Sequence, residues 1–196
     1  MIFGEEFENR DPRMFQTVRC PGYARIGKTH DVNRLYEAMI ISTTGYMPIK
    51  YIQSGDYDKQ TSNENDIILY RYAEVLLNYA EAKAELGTLL QTDLEQSIKL
   101  IRDRVGMPNM DMAAANANPD PVLSAQYPLV NGSNKGVILE IRRERRVEMV
   151  MENLRYDDII RWKAGHLFTE QFKGVYFSTV TCLLYTSDAA DDMQCV

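Results

Sequence analysis

A strongly helical segment in the middle of the chain constrains the fold more than any other feature of the sequence. Residues 71–87 read RYAEVLLNYAEAKAELG, and apolar residues recur there at the spacing of one helix face. Gly87 stands where a C-terminal cap belongs, because glycine adopts a positive φ without a steric penalty. The segment therefore predicts one long helix whose packing stripe includes Tyr72 and Tyr79.

A second predicted helix follows at once and gives the first a partner. Thr92 and Glu95 have the spacing of a capping box, in which the two side chains satisfy backbone N–H groups at a helix start. The apolar stripe after this start consists of Leu94, Ile98, Ile101 and Val105. Two antiparallel helices with a short connection are the unit of tetratricopeptide-like stacks, although one pair does not establish a repeat.

The segments around this pair are predicted to be mostly irregular. An Asp-Pro step stops any helix at Asp11, residues 47–52 alternate well enough for one short strand, and residues 53–66 are a polar loop. Residues 109–136 are rich in Asn, Pro, Ala and Gly and predict a long loop. The expected fold is mainly α, with a tetratricopeptide-like helical pair, long irregular loops and at most a short β hairpin.

The last strong element, residues 137–163, carries an unusual number of charges. Four arginines fall within five residues, but glutamates and aspartates interleave with them, so the segment is nearly neutral. We therefore interpret it as a salt-bridged helix face and not as a nucleic-acid patch. Its predicted buried stripe is Val147, Val150, Met151 and Leu154.

Five ordered blocks of the sequence carry a resemblance to a known family. They are ENRDPRMFQTV, TGYMPIKYI, ILYRYAEVLLNYAEAKAELG, IRDRVGMP and ILEIRRERRVEMVMENLRYDDIIRWK. In this order they resemble the C-terminal part of the SusD/RagB family, and they span residues 7–163. The resemblance implies a helical, tetratricopeptide-containing lipoprotein on the outer membrane surface of Bacteroidota. Such proteins bind glycans, or sometimes peptides, without catalysis and deliver them to a SusC-like TonB-dependent transporter.

The resemblance also implies that parts of a family member are missing here. We expect residues 1–181 to be a fragment of a SusD-like domain that lacks the N-terminal half, the signal peptide and the lipidated cysteine. Cys20 is internal and is not that lipid anchor. A cytoplasmic helical-repeat interaction scaffold is the alternative, and extending the gene upstream would distinguish the two.

A second alternative rests on residues 22–29, GYARIGKT, which match the phosphate-binding pattern G-x-x-x-x-G-K-[ST] from Gly22 onward. In a P-loop nucleotide-binding protein, Lys28 would contact the phosphates and Thr29 would bind Mg²⁺. A true P-loop needs a strand before it and a parallel sheet behind it. Because no βαβ alternation follows, we interpret the match as coincidence.

No catalytic, metal or cofactor site is predicted. His30 and His166 have no short metal-binding spacing, and Cys20 lies in a Cys-Pro-Gly stretch typical of a turn. Asp157 and Asp158 are adjacent on a helix, so they point about 100° apart and cannot flank one glycosidic bond. Trp162 is expected to pack at the helix end and not to stack on a sugar.

Aromatic residues on loops are the expected ligand contacts. Sugar rings stack on exposed aromatic faces, and loops above a rigid scaffold present such faces. Tyr23, Tyr46 and Tyr57 lie in predicted loops and are the candidate ligand-binding residues. A formal net charge of −6 argues against nucleic acid as a partner.

The last fifteen residues resemble a tail that does not belong to the natural protein. The stretch CLLYTSDAAD, residues 182–191, back-translates to a sequence that resembles a transposase adaptor used in building sequencing libraries. We expect residues 182–196 to be translated adaptor that packs on nothing, because such a sequence was never selected to fit a core. The alternative is a natural acidic tail.

Overall fold

The protein is mainly helical. A computed structural model describes residues 5–27, 42, 44–57, 64–171 and 173–174. The α-helices among these residues are Met14–Thr17 (α1), Tyr72–Glu85 (α2), Gln91–Glu95 (α3), Ile98–Asp103 (α4), Met112–Ala117 (α5), Pro121–Gln126 (α6), Lys135–Glu148 (α7) and Arg155–Arg161 (α8). Short 3₁₀ turns lie at Glu5–Phe7, Gly55–Tyr57 and Gly165–Thr169. This arrangement confirms the predicted mainly α fold.

Helix α2 packs most extensively against α7, and the core forms between them. Leu77 and Ala80 of α2 and Val137, Leu139 and Ile141 of α7 have no or almost no exposed surface. Gly87 ends α2 with φ of 72°, as predicted. The buried face of α2, however, differs from the predicted one.

Tyr72 and Tyr79 are 68% and 41% exposed and do not belong to the buried stripe. The buried face is rotated toward Leu76, Leu77 and Ala80, since the aliphatic side chains fit the narrow contact with α7 and the tyrosines do not.

The second helix of the pair is broken into α3 and α4, which follow α2 after a short loop. The start of α3 differs from the predicted capping box. Asp93, not Thr92, closes it: its carboxylate accepts from the Leu90 N–H at 2.8 Å. Leu94, Ile98 and Ile101 are buried as predicted.

The predicted long loop 109–136 was wrong, because it contains α5 and α6. Aspartates start both helices: Asp111 accepts from the Ala114 N–H at 2.9 Å, and Asp120 accepts from the Val122 N–H at 2.8 Å. Proline at the first position of α6 suits a helix start, where its missing N–H has no partner to lose. Side-chain capping thus outweighed the loop-like composition.

Residues 137–163 form two helices instead of one continuous element. Met151 and Asn153 both have φ of 62°, a left-handed conformation that ends α7 and redirects the chain into α8. The predicted stripe is wrong at Met151, which is 46% exposed, whereas Leu154 is partly buried against the core and Val147 and Val150 are half-buried. The charged residues Glu144 and Glu148 are more deeply buried, at 2% and 4% exposed.

The strand predicted at residues 47–52 is absent from the described part of the chain. Pro48 makes only an isolated antiparallel bridge with Val18. Hydrogen bonds from the Arg19 N–H to the Met47 carbonyl and from the Ile49 N–H to the Thr17 carbonyl flank this bridge, and Tyr51 then turns the chain with φ of 70°.

Candidate functional site

The irregular residues before α2 form a layer of loops held together by backbone hydrogen bonds. The Arg19 N–H donates to the Met47 carbonyl at 2.8 Å, and the Ile49 N–H donates to the Thr17 carbonyl at 2.9 Å. The Arg25 guanidinium donates to the Gln53 carbonyl at 2.7 Å. We call the described residues 5–27 and 44–57 the loop layer.

A cavity of about 450 Å³ opens in the loop layer, and its lining is Phe7, Glu8, Asn9, Arg10, Phe15 and Pro21. The two phenylalanine rings lie 6.1 Å apart at an angle of 53°. Phe7 is buried, whereas Phe15 is 45% exposed. Aromatic faces beside a few polar groups are typical of sugar-binding and other small-ligand sites of this volume.

The three candidate tyrosines all belong to the loop layer. Tyr23 is half-buried and lies in a turn, where its own N–H donates to the Cys20 carbonyl at 3.1 Å. It stands two residues after Pro21, which lines the cavity. Tyr46 is half-buried, and its hydroxyl donates to the Glu6 carboxylate, next to the cavity residue Phe7. Tyr57 is 38% exposed in the 3₁₀ turn Gly55–Tyr57. None of the three tyrosines is among the residues that line the cavity, so their assignment to a ligand surface stays a prediction.

The Tyr46 hydroxyl is held as a hydrogen-bond donor. Burial and the neighbouring Glu6 carboxylate raise the pKa of Tyr46 to about 12, so its hydroxyl stays protonated at neutral pH. The Tyr46 hydroxyl has one proton, and it donates this proton in its hydrogen bond to Glu6. It can donate to a carboxylate or sugar oxygen of a ligand only after it releases Glu6.

Sequence reasoning missed two exposed aromatic side chains in this layer. Phe15 lies in the short helix α1, directly after the Asp-Pro turn, and Tyr51 is 39% exposed beside Lys50. The sequence feature that points to Phe15 is that Phe7 and Phe15 stand on either side of the Asp-Pro step at residues 11–12.

A row of glutamates attaches the loop layer to the helices. The row, Glu144, Glu148 and Glu152, has four-residue spacing along α7 and just past its end. Arginines from three parts of the chain donate to Glu148: Arg71 at 2.6 Å, Arg104 at 2.9 Å and Arg13 at 3.0 Å. The Glu148 side chain is only 2% exposed. We call Glu144, Glu148 and Glu152 the carboxylate row.

Arg13 and Lys50 are the contacts that the loop layer makes with the carboxylate row. Arg13 is oriented by two hydrogen bonds to Asp11 and donates to Glu144 at 2.6 Å. Lys50 donates to Glu152 and to the Val150 carbonyl at 2.9 Å. The layer is thus fixed to a rigid helix by buried, multiply bonded charges, which is what a preorganised binding surface requires.

The arginines also set the ionisation of the row. Burial alone would raise the pKa of Glu148, but the hydrogen bonds from Arg71 and Arg13 outweigh it and hold the pKa below its ordinary value. The pKa of Glu152 is lowered in the same way by Arg71 and Lys50. Both carboxylates are therefore charged at neutral pH, and neither is free to act as a general acid.

A second hollow of about 590 Å³ lies between α2 and α8. Its charged groups bind one another: Arg145 donates to both oxygens of Asp158 at 2.8 Å, and Arg161 bridges Asp158 and Glu81. Trp162 donates to Glu81 at 2.6 Å and is buried, as predicted. The bonds of Glu81 to Arg161 and Trp162 thus join α2 to α8 and the residue that follows it.

Within the described residues, no group of three or more His, Cys, Asp or Glu side chains could hold a metal ion. Cys20 is a buried free thiol, and burial raises its pKa, which makes it a poor nucleophile. His166 is exposed with a ring nitrogen 3.0 Å from the Gln126 carbonyl, and His30 lies outside the described residues.

The phosphate-loop match lacks its structural context. Residues 22–27 are turn and irregular chain, and within the described residues no strand runs into Gly22. Lys28 and Thr29 lie outside the described residues. A loop without a strand behind it has no means of aiming a helix dipole at a phosphate.

The comparison with protein families decides the assignment. The model of the SusD family matches residues 1–191, nearly the whole chain. The chain belongs to the SusD family. Searches of curated proteins and of solved structures found no match.

SusD-family proteins are, in general, non-catalytic nutrient-binding proteins that work with SusC-like transporters. No helix within the described residues is long and apolar enough to cross a membrane. Residues 182–196 lie outside the described residues, and the family match runs through their first ten positions.

Proposed function

We propose that this SusD-family protein binds a glycan, or a peptide, at the outer membrane surface of a Bacteroidota cell without chemically changing it. It delivers this nutrient to a SusC-like TonB-dependent transporter, as a surface-exposed lipoprotein. The family match over residues 1–191 is the observation that carries the proposal.

The loop layer is the part of the described chain best suited to hold the ligand. Its cavity combines the exposed ring of Phe15 with the amide of Asn9 and the guanidinium of Arg10. A sugar ring stacks on an aromatic face, and amide and guanidinium groups bond its hydroxyls. We assign Phe15 to the ligand surface beside the candidates Tyr23, Tyr46 and Tyr57.

Two carboxylates of the loop layer's attachment are unsuited to general-acid catalysis. Asp11, within the layer, and Glu148, on α7, are bound to arginines and have lowered pKa values. A glycosidase needs one carboxyl group with a raised pKa as a proton donor. Neither of these two carboxylates meets that requirement.

The test is a glycan-array screen of the purified protein, followed by alanine variants of Phe15, Tyr23, Tyr46 and Tyr57. Loss of a stacked ring is expected to weaken binding of the best glycan by about 1–3 kcal/mol, by analogy with bases that stack on aromatic side chains. The melting temperature of each variant should remain near that of the parent.

Tyr156→Ala is the matched control, because Tyr156 is 64% exposed but lies in α8, away from the loop layer. It should bind like the parent. If all four loop-layer variants also bind like the parent, the ligand site lies elsewhere and the assignment of this layer is wrong.

A further inference from the structure

The connection between α6 and α7 contains an asparagine in an unusually reactive setting. Asn131 is the one asparagine of the chain that glycine follows. Both residues are exposed, and Gly132 has φ of 85° with nothing within 4 Å of the position that a Cβ would occupy. Within the described residues, the Gly132 N–H donates no hydrogen bond.

We infer that Asn131 is a site of spontaneous deamidation. The backbone nitrogen of Gly132, after losing its proton to hydroxide, attacks the side-chain carbonyl carbon of Asn131. A new C–N bond closes a five-membered succinimide, the bond from that carbon to Nδ2 breaks, and ammonia leaves. Water then opens the ring at either carbonyl and gives aspartate or isoaspartate.

The surroundings of Asn131 favour this reaction. Gly132 carries no side chain that could hinder the approach of its nitrogen, and its backbone reaches conformations closed to other residues. Among the described residues, the exposed Asn131 side chain makes one hydrogen bond, from Nδ2 to the Leu129 carbonyl at 3.0 Å, and its side-chain oxygen accepts none.

Three asparagines close by in the sequence lack these features. The side-chain oxygen of Asn116 accepts from the Val137 N–H at 2.8 Å, so its amide is held in place. Asn118 precedes a proline, whose nitrogen carries no proton to lose. The N–H after Asn134, that of Lys135, donates to the Gly132 carbonyl at 3.3 Å.

The product would disturb a tightly anchored connection. Val130, next to Asn131, is buried in the core, and its N–H donates to the Tyr127 carbonyl at 3.0 Å. Asn134, three residues after Asn131, directly precedes α7. Isoaspartate adds a methylene group to the backbone between these two fixed points, whereas aspartate leaves the backbone unchanged.

Mass spectrometry of the aged protein tests the inference. After incubation at mildly alkaline pH, trypsin releases residues 105–135 as one peptide that contains Asn131 and the three comparison asparagines. Fragment ions should place the conversion of amide to carboxyl at Asn131, with aspartate and isoaspartate forms separated by chromatography. Asn116, Asn118 and Asn134 should remain unchanged over the same period.

Two variants complete the test. Asn131→Gln should lose most of the product, because its longer side chain would have to close a six-membered ring. Asn131→Asp should keep the parent melting temperature, whereas the isoaspartate fraction of the aged parent should melt lower. Conversion at Asn116 or Asn134 at the rate of Asn131, or no conversion at Asn131, would overturn the inference.

Discussion

At the scale of single residues, the least expected feature is the burial of charge on α7. Carboxylates taken out of water lose hydration that is worth several kcal/mol each, unless ion pairs and hydrogen bonds replace it. Three arginines replace the hydration that Glu148 loses, and Arg13 and Arg102 replace the hydration that Glu144 loses. The same bonds join the loop layer to α2, α4 and α7, so these residues decide where the layer lies.

Replacing Glu148 by glutamine should therefore destabilise the protein strongly. In this variant Arg13 still pairs with Glu144, and Arg71 still pairs with Glu152. We therefore expect the free energy of unfolding to fall by about 3 kcal/mol, the low end for breaking a buried ion pair. Urea unfolding of Glu148→Gln measures this loss. The control is Asp103→Asn, which removes an exposed pair with Lys99 and should change the free energy of unfolding by less than about 0.5 kcal/mol. If both variants lower the free energy of unfolding by the same amount, the buried carboxylate row contributes no more to stability than an exposed ion pair does.

The lowered pKa values of Glu148, Glu152 and Asp11 predict a loss of stability in acid. In the folded state these groups bind protons less readily than in the unfolded state, so falling pH favours unfolding. Stability should be full above the ordinary glutamate value of 4.5 and should fall as the pH drops below it.

Urea unfolding at a series of pH values measures this slope. Glu140 opposes the trend, because burial raises its pKa, but the pKa values of Asp93 and Asp120 are lowered as well, so it is one described group against five. Glu148→Gln should reduce the slope. A free energy of unfolding that stays level or rises between pH 5 and pH 3 would contradict the role given to the row.

At the scale of elements, the contact between α5 and α7 shows how a segment with loop-like composition becomes part of the scaffold. Gly136, in the first turn of α7, lies against the backbone of Ala115 in α5. The Asn116 side chain accepts from the Val137 N–H and satisfies one of the free donors at the start of α7. Helix α5 thus caps and covers the beginning of α7.

Substituting alanine for Gly136 should break this contact. A Cβ there would lie 1.8 Å from the Ala115 carbonyl oxygen, which belongs to the backbone and cannot rotate away. We expect a loss of about 1–3 kcal/mol from overpacking, although alanine is the better helix former. Thermal unfolding compares it with Gly165→Ala, where a Cβ meets nothing within 4 Å. A Gly136→Ala protein as stable as the Gly165→Ala protein would disprove the close contact.

The elements that sequence reasoning identified are those in which local pattern and packing agree. Helix α2 was predicted because its aliphatic periodicity and Gly87 both point to a helix with a C-terminal cap. The tyrosine positions Tyr72 and Tyr79 were misassigned, since helical spacing does not show which side of an apolar helix meets its partner.

The remaining errors have two sources. Helices α5 and α6 begin at Asp111 and Asp120, local caps that were outweighed in the prediction by the alanine- and proline-rich composition around them. The burial of Glu144 and Glu148 depends on arginines far away in the chain, such as Arg13. For the candidate site, loop tyrosines could be named from sequence, but the pairing of Phe7 with Phe15 needed the fold.

At the scale of the whole molecule, the described chain has a well-packed side and an open side. The core lies between α2 and α7, while the outer face of α2 and the segment before it remain exposed. Ile67, Leu69 and Tyr70 are each about four-fifths exposed. A helical pair of a stacked array buries one face against its neighbour and leaves the other open until a further pair covers it.

The proposal that residues 182–196 are adaptor-encoded makes a prediction about the whole chain. A protein that ends at Thr181 should have the same free energy of unfolding as the 196-residue chain within about 0.5 kcal/mol, because an unselected tail has no place in the core. Urea unfolding of the two proteins side by side measures the difference. A clearly less stable shortened protein would show that the tail packs on the fold and is natural.

Binding of an unchanged nutrient by this SusD-family protein is measured by calorimetric titration of glycans and peptides. Oligosaccharides and peptides are titrated into the purified protein, and each mixture is then analysed for cleavage products. We expect saturable binding of at least one ligand that is recovered intact. Failure of every ligand to bind, or release of cleavage products in proportion to protein concentration, would contradict the proposed function.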